Sequence, residues 1–185
     1  MGSRHILEAD RSVLVVVDIQ EKLSARMAER DAVVAATRSL IAAARRLRVP
    51  VIVTEQYPRG IGPTAPELVT ALEGEYAPIE KLSFGCAREP AFMARFKALG
   101  RTQVALCGME AHICVLQTAL GLLEAGCAVH VAADAVCSRS AENKRIGLEL
   151  VREAGAAVTC WETVVFQWLE KAGTPEFKDL LPLFK

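Results

Sequence analysis

The sequence is poor in histidine, with three in 185 residues, and none lies between His5 and His112. An imidazole metal centre has almost nothing to draw on in the first half of the chain. Its six cysteines, at 86, 107, 114, 127, 137 and 160, form no CxxC and no paired Cys/His spacing, which excludes the common zinc modules. Net charge is absent as well. The 22 basic residues balance 22 acidic ones, and no basic stripe with interleaved aromatics points to nucleic acid.

Long hydrophobic runs are missing too. The apolar run from Val13 to Val17 stops at Asp18, too short for a signal-peptide core or a membrane span. Ile6 stands where a myristoyl signal on Gly2 needs Ser or Thr. A cytoplasmic protein with no membrane partner is expected, and a reducing compartment makes free thiols the default. No Pro/Gly/Ser-rich stretch, charge block or internal repeat divides the chain, so residues 1–185 are expected to form one domain.

What the sequence does contain is alternation. Short runs at 12–18, 49–55, 76–81, 103–108, 128–134 and 156–161, together rich in Val and mostly apolar on both faces, read as strands. Amphipathic stretches at 28–47, 89–99, 113–126, 141–155 and 162–173 read as helices, two of them closed by Gly126 and Gly155. Six strands interleaved with helices predict a three-layer α/β/α, Rossmann-like fold around a six-stranded parallel sheet.

Functional groups in such sheets gather beyond the carboxyl ends of the strands. Those ends carry Asp18, Glu55, Lys81, Gly108 and Asp134. After Gly108, "MEAH" makes a turn and Cys114 enters the first turn of a helix, whereas Cys107 is still inside the strand. A helix start offers unsatisfied N–H groups and a positive dipole end, so Cys114 is expected to have a lowered pKa. Cys107, Cys127 and Cys160 read as small core hydrophobes. A thiol nucleophile also needs a proton acceptor and donors for the oxyanion. Asp18 suits the first role, Lys81 would keep that carboxylate ionised, and backbone N–H groups of the turn suit the second. His112 is two residues from Cys114, which turns its ring away from the sulfur and makes it a pocket or turn residue.

The anchors "VVVDIQ", "IEKLSFGC" and "CGMEAHICVLQTA" together resemble the isochorismatase-like cysteine hydrolases, over essentially the whole chain. "VTEQYPRGIGPTAPEL" and "VAADAVCSRS" look most like its isochorismatase-domain-containing subgroup. The resemblance implies an Asp–Lys–Cys triad of Asp18, Lys81 and Cys114, and a cis peptide at Met109–Glu110. It also implies an oxyanion hole from the N–H groups of Glu110 and Cys114, a thioester intermediate, and a homo-oligomer. Nicotinamidases of this family carry an Asp/His metal cluster after the second strand, where this chain has "TEQYPRG". Neither metal nor cofactor is therefore expected. Isochorismatases proper lack the cysteine, so Cys114 favours hydrolysis of a small amide or related carbonyl substrate.

Gln20, Glu55, Tyr57, Phe84 and His112 are the candidate pocket residues, with Cys86 and Cys137 also following strand ends. "GIGPTA" at 60–65 fits G-x-G-x-x-A, but "EQYPR" separates it from the strand and Pro63 and Pro66 interrupt the helix that motif should open. The alternatives are a non-catalytic binding or scaffold protein with a redox-sensitive pocket thiol, and a nucleotide-binding oxidoreductase.

Overall fold

The computed structural model describes residues 5–185, so the reading of Gly2 and the first four residues of the expected domain lie outside the described residues. Its strands are β1 (Ser12–Val17), β2 (Val51–Gln56), β3 (Ile79–Lys81), β4 (Gln103–Met109), β5 (Ala128–Cys137) and β6 (Ala157–Thr159). They form one parallel sheet in the order β3-β2-β1-β4-β5-β6. The chain winds outward from β1 to β3, returns to the other side of β1 with β4, and winds outward again. The β1/β4 boundary is therefore the topological switch point, where a crevice opens beyond the strand ends.

β1 is apolar throughout because it is buried on both faces. Leu14 and Val16 face the layer of α2 (Arg30–Arg46), α4 (Pro66–Ala71), α8 (Trp161–Leu169) and α9 (Pro175–Leu180). Val13, Val15 and Val17 face the layer of α5 (Pro90–Ala98), α6 (Leu116–Glu124) and α7 (Ala141–Glu153). All five are fully buried, each worth about 1.5–3 kcal/mol of hydrophobic transfer. Two one-turn helices, α1 (Glu21–Ser24) and α3 (Pro58–Ile61), stand above the carboxyl edge of the sheet.

Several boundaries differ from the sequence reading. β3 begins only at Ile79, after Pro78, which has no N–H for a ladder. β5 runs past Asp134 to Cys137, with an irregularity between Leu106 and Gly108 in its pairing with β4. Asp134 is thus not a strand end; it is exposed and accepts from the Trp161 N–H at 2.8 Å, anchoring the start of α8. α9 was not expected at all; its start is capped by the Thr174 hydroxyl, which accepts from the Phe177 N–H. Among the described residues no helix is long and apolar enough to cross a membrane.

Candidate active site

β1 and β4 meet closely at the switch point. Val17 pairs with Gly108, and a Cβ on Gly108 would lie 2.0 Å from the Val17 carbonyl oxygen. Gly108 also has φ +130, a conformation that side chains rarely adopt, so both space and backbone demand glycine. This contact carries the chain from β4 into the turn over β1. The Met109–Glu110 peptide is cis. Ala111–Val115 then forms a π-helical turn that leads into α6, in place of the α-helix expected from 113. α7 clamps that turn, since a Cβ on Gly147 would meet His112 Cα at 2.7 Å.

Asp18, Lys81 and Cys114 converge beneath the turn. Lys81 Nζ lies 2.7 Å from Asp18 Oδ2, and neither side chain has any exposed surface. The Lys81 ammonium donates to Gln56 Oε1 at 2.6 Å and to the carbonyls of Phe84 and Ser83 at 3.0 and 3.2 Å. With the Asp18 carboxylate, four oxygens surround the ammonium, and its contact with Asp18 is a buried ion pair. Asp18 Oδ1 accepts from the Thr54 hydroxyl at 2.7 Å, and Thr54 Oγ1 in turn accepts from the Cys86 thiol at 3.7 Å. Oδ2 holds no in-line hydrogen bond.

Burial raises the proton affinity of Asp18 above that of an ordinary carboxylate, opposed by Lys81, Thr54 and Cys114. Burial also pulls the Lys81 ammonium down, but the negative charge available to Asp18 and Cys114 outweighs it and the net direction is up. The Cys114 thiol is pushed up to about 12, first by burial and then by the Asp18 carboxylate, with Lys81 pulling the other way. This corrects the expectation of a lowered Cys114 pKa: removal from water and the Asp18 carboxylate outweigh the Lys81 charge. Cys114 rests as a neutral thiol beside a carboxylate of raised basicity.

The turn supplies donors. The Glu110 carbonyl accepts from the N–H groups of Ile113 at 3.1 Å and Val115 at 3.2 Å, passing over Cys114 between them. The Glu110 N–H donates to no backbone acceptor among the described residues. Its carboxylate is buried and accepts from the Arg139 backbone N–H at 2.9 Å and from Arg139 Nε, which ties the turn to the end of β5.

The expected pocket residues divide. Tyr57 is half exposed and lines a cleft of about 460 Å³ that also reaches Lys81, Leu82 and Glu89. Phe84 is half exposed as well and lends its carbonyl to Lys81. His112 turns to Ser138 Oγ at 3.0 Å and to Asn143 Nδ2 at 3.4 Å. Gln20 and Glu55 are corrections. Gln20 is fully buried, donating to the carbonyls of Gln56 and Gly62 and accepting from the Gln56 N–H. Glu55 accepts from the Thr64 N–H and hydroxyl and from the Tyr76 hydroxyl, so it anchors the α3 loop. Cys86 and Cys137 are fully buried.

Sequence reasoning missed Thr54, Gln56 and Arg139. β2 extends one residue beyond the expected end, and adjacent strand residues face opposite sides of the sheet. Ending the strand at Glu55 therefore selected the wrong face. The signal was present in "VIVTEQ", where Thr54 and Gln56 place two polar groups at i and i+2.

The family profile described as "Isochorismatase domain" matches residues 12–163. Isochorismatase domain-containing protein 2 of Danio rerio is 40% identical over 178 residues, 96% of this chain and 88% of that protein. The MAR1 ribonuclease structure from Caenorhabditis elegans is 36% identical with a TM-score of 0.90, covering 96% of this chain and 91% of that one. The Escherichia coli YcaC structure, described as an octameric hydrolase of unknown specificity, shares the fold at a TM-score of 0.89 and 22% identity, covering 99% and 92%.

Proposed function

The chain belongs to the isochorismatase family of hydrolases, and from that premise we propose that it cleaves a small amide or related carbonyl compound. In this reading Cys114 is the nucleophile, Asp18 carries the proton, and Lys81 supports both electrostatically. The observation that carries it is the fully buried Lys81–Asp18 pair beside a thiol that shares its electrostatics. Two opposite charges are costly to bury, and a third ionisable group against them is a pattern of functional sites.

Attack begins from the neutral thiol. As sulfur bonds to the substrate carbonyl carbon, its proton passes to Asp18, whose raised basicity suits it to receive one. The N–H groups of Glu110 and Cys114 receive the oxyanion. Asp18 then protonates the amide nitrogen, the C–N bond breaks, and ammonia leaves a thioester on Cys114. Water gives a proton to Asp18 and its oxygen to the carbonyl carbon, and the departing sulfur recovers that proton. The net change is amide plus water to carboxylic acid plus ammonia. The Lys81 charge opposes build-up of negative potential at each stage. A homo-oligomer belongs to the same reading, in keeping with the octameric YcaC.

The test is ammonia release across primary amides, ureido acids and aryl amides, with Cys114→Ala as the blank. RNA cleavage is assayed beside it because the C. elegans relative is described as a ribonuclease. Ammonia release that Cys114→Ala abolishes is the expected result. Turnover that survives in Cys114→Ala removes the nucleophile assignment.

A further inference from the structure

Asp18 is held twice by a single residue of β2. Its N–H donates to the Thr54 carbonyl at 3.2 Å, and its Oδ1 accepts from the Thr54 hydroxyl at 2.7 Å. Val17, the residue before it, pairs with Thr54 in the sheet. Asp18 itself has φ +51, a left-handed conformation that its surroundings must enforce. Thr54 therefore fixes both the backbone and the carboxylate at the end of β1.

The direction of the Thr54 hydroxyl is set in turn. A hydroxyl has one proton and two lone pairs, and its proton goes to the charged acceptor, Asp18 Oδ1. The Cys86 thiol donates to the same hydroxyl oxygen at 3.7 Å, so turning the proton toward Cys86 would break both contacts. Cys86 is anchored as well: its N–H donates to Thr118 Oγ1 at 3.0 Å. Thr118 lies four residues after Cys114, which places the two on one side of the helix that begins at the turn. A chain of polar groups thus runs from the helix of Cys114 through Thr118, Cys86 and Thr54 to Asp18. Thr118, Cys86, Thr54 and Asp18 have no exposed surface, so no solvent competes for these bonds.

The two oxygens of Asp18 are consequently unlike. Oδ1 already accepts a short hydrogen bond, whereas Oδ2 lies against Lys81 and holds no in-line hydrogen bond. We propose that Thr54 is a positioning residue of the hydrolase, saturating Oδ1 so that Oδ2 exchanges the proton with Cys114, and that Cys86 aligns the Thr54 hydroxyl for this purpose. The inference rests on the hydrolase reading above. In the attack step Oδ2 takes the thiol proton as the C–S bond forms, and it returns that proton to the leaving nitrogen; Thr54 keeps its own proton throughout.

The test reads Asp18 directly. Its protonation is followed against pH by the infrared carboxyl band that Asp18→Asn abolishes. The titratable groups facing Asp18 are Lys81 from β3, Cys114 from the turn and Cys86 from the loop after β3, and all three stay in place in the Thr54 variants. The Thr54 hydrogen bond favours the ionised carboxylate, so Thr54→Val should make Asp18 take up its proton at higher pH. Thr54→Ser keeps the hydroxyl and should restore the original titration, and Cys86→Ala should give a smaller shift in the same direction. Thr54→Ala is the second hydroxyl-free variant should Thr54→Val not fold. On an amide that the unaltered protein hydrolyses, Thr54→Val should lower kcat at least about tenfold with KM unchanged, and move the acidic limb of the pH profile upward with the carboxyl band. An Asp18 titration that is the same with and without the hydroxyl overturns the inference; one unmoved by Cys86→Ala removes Cys86 from it. A shifted titration in protein that hydrolyses no amide withdraws the hydrolase reading and keeps the Thr54–Asp18 arrangement. Turnover whose kcat and pH profile are unchanged by Thr54→Val keeps the hydrolase and overturns the positioning role.

Discussion

Lys81 Nζ lies 2.7 Å from Asp18 Oδ2 with both side chains sealed from solvent. Such a pair is stable only while both members are present. Lys81→Met would leave an unpaired carboxylate at the switch point and is expected to cost about 3–5 kcal/mol, read from urea unfolding. Asp18→Asn combined with Lys81→Met removes both charges and should recover part of that loss. A cost below about 1 kcal/mol for Lys81→Met would mean that the pair is solvated in the folded protein.

Cys114 should respond to pH as a buried thiol. Its pKa, about 12, predicts an iodoacetamide rate that climbs through the alkaline range without levelling off near neutrality. The same shift links to stability. A thiol whose folded pKa lies above its unfolded value of about 8.5 contributes stability that is fully present below that value and lost as pH rises toward 12. Cys107 and Cys137 are also lifted to about 12, chiefly by burial, and add to the alkaline loss. Peptide mapping across a pH series measures the first effect and urea midpoints the second; a rate plateau at neutral pH contradicts both.

The sheet was legible because β1, β2, β4 and β5 are Val-containing apolar runs and the longer helices between them carry a 3.6-residue apolar period. Strand ends then placed Asp18, Lys81 and Cys114 at one edge with no knowledge of contacts. Glu55 shows the limit of that method: a one-residue error in a strand end reverses the face, and with it the choice between Glu55 and Gln56. Arg139 was illegible for another reason. Its partner Glu110 is 29 positions away in the sequence, and only the packing of β5 beside β4 brings them together. The Cys114 titration was misjudged because a local feature, the helix start, is visible in sequence whereas desolvation depends on the whole fold.

Glycine at 108 is a close-packing requirement. Gly108→Ala would drive a methyl group into the Val17 carbonyl and is expected to cost more than about 3 kcal/mol. Gly100→Ala provides the contrast: φ is +64 there but nothing lies within 4 Å of the added Cβ, so about 1 kcal/mol of backbone strain is expected. Thermal unfolding of both variants checks the ranking. Equal losses would mean that β4 can move away from β1.

Asp18 has two effects on Cys114 that a single substitution can pull apart. Its negative charge raises the thiol pKa, and in the proposed reaction its oxygen also accepts the thiol proton. Asp18→Asn removes the charge and the base together while keeping the side chain's shape. Without the charge the thiol should ionise at lower pH, so iodoacetamide should label Cys114 faster at neutral pH than in the unaltered protein. Without the base, kcat should fall by about 10²–10⁴, because no group is left to shuttle the proton to the leaving nitrogen. Labelling rates and ammonia release on one preparation give both numbers. A more reactive thiol with lost turnover is the signature of a base that also holds its nucleophile neutral at rest. Slower labelling with retained turnover would place the proton acceptor elsewhere and reduce Asp18 to the counter-ion of Lys81.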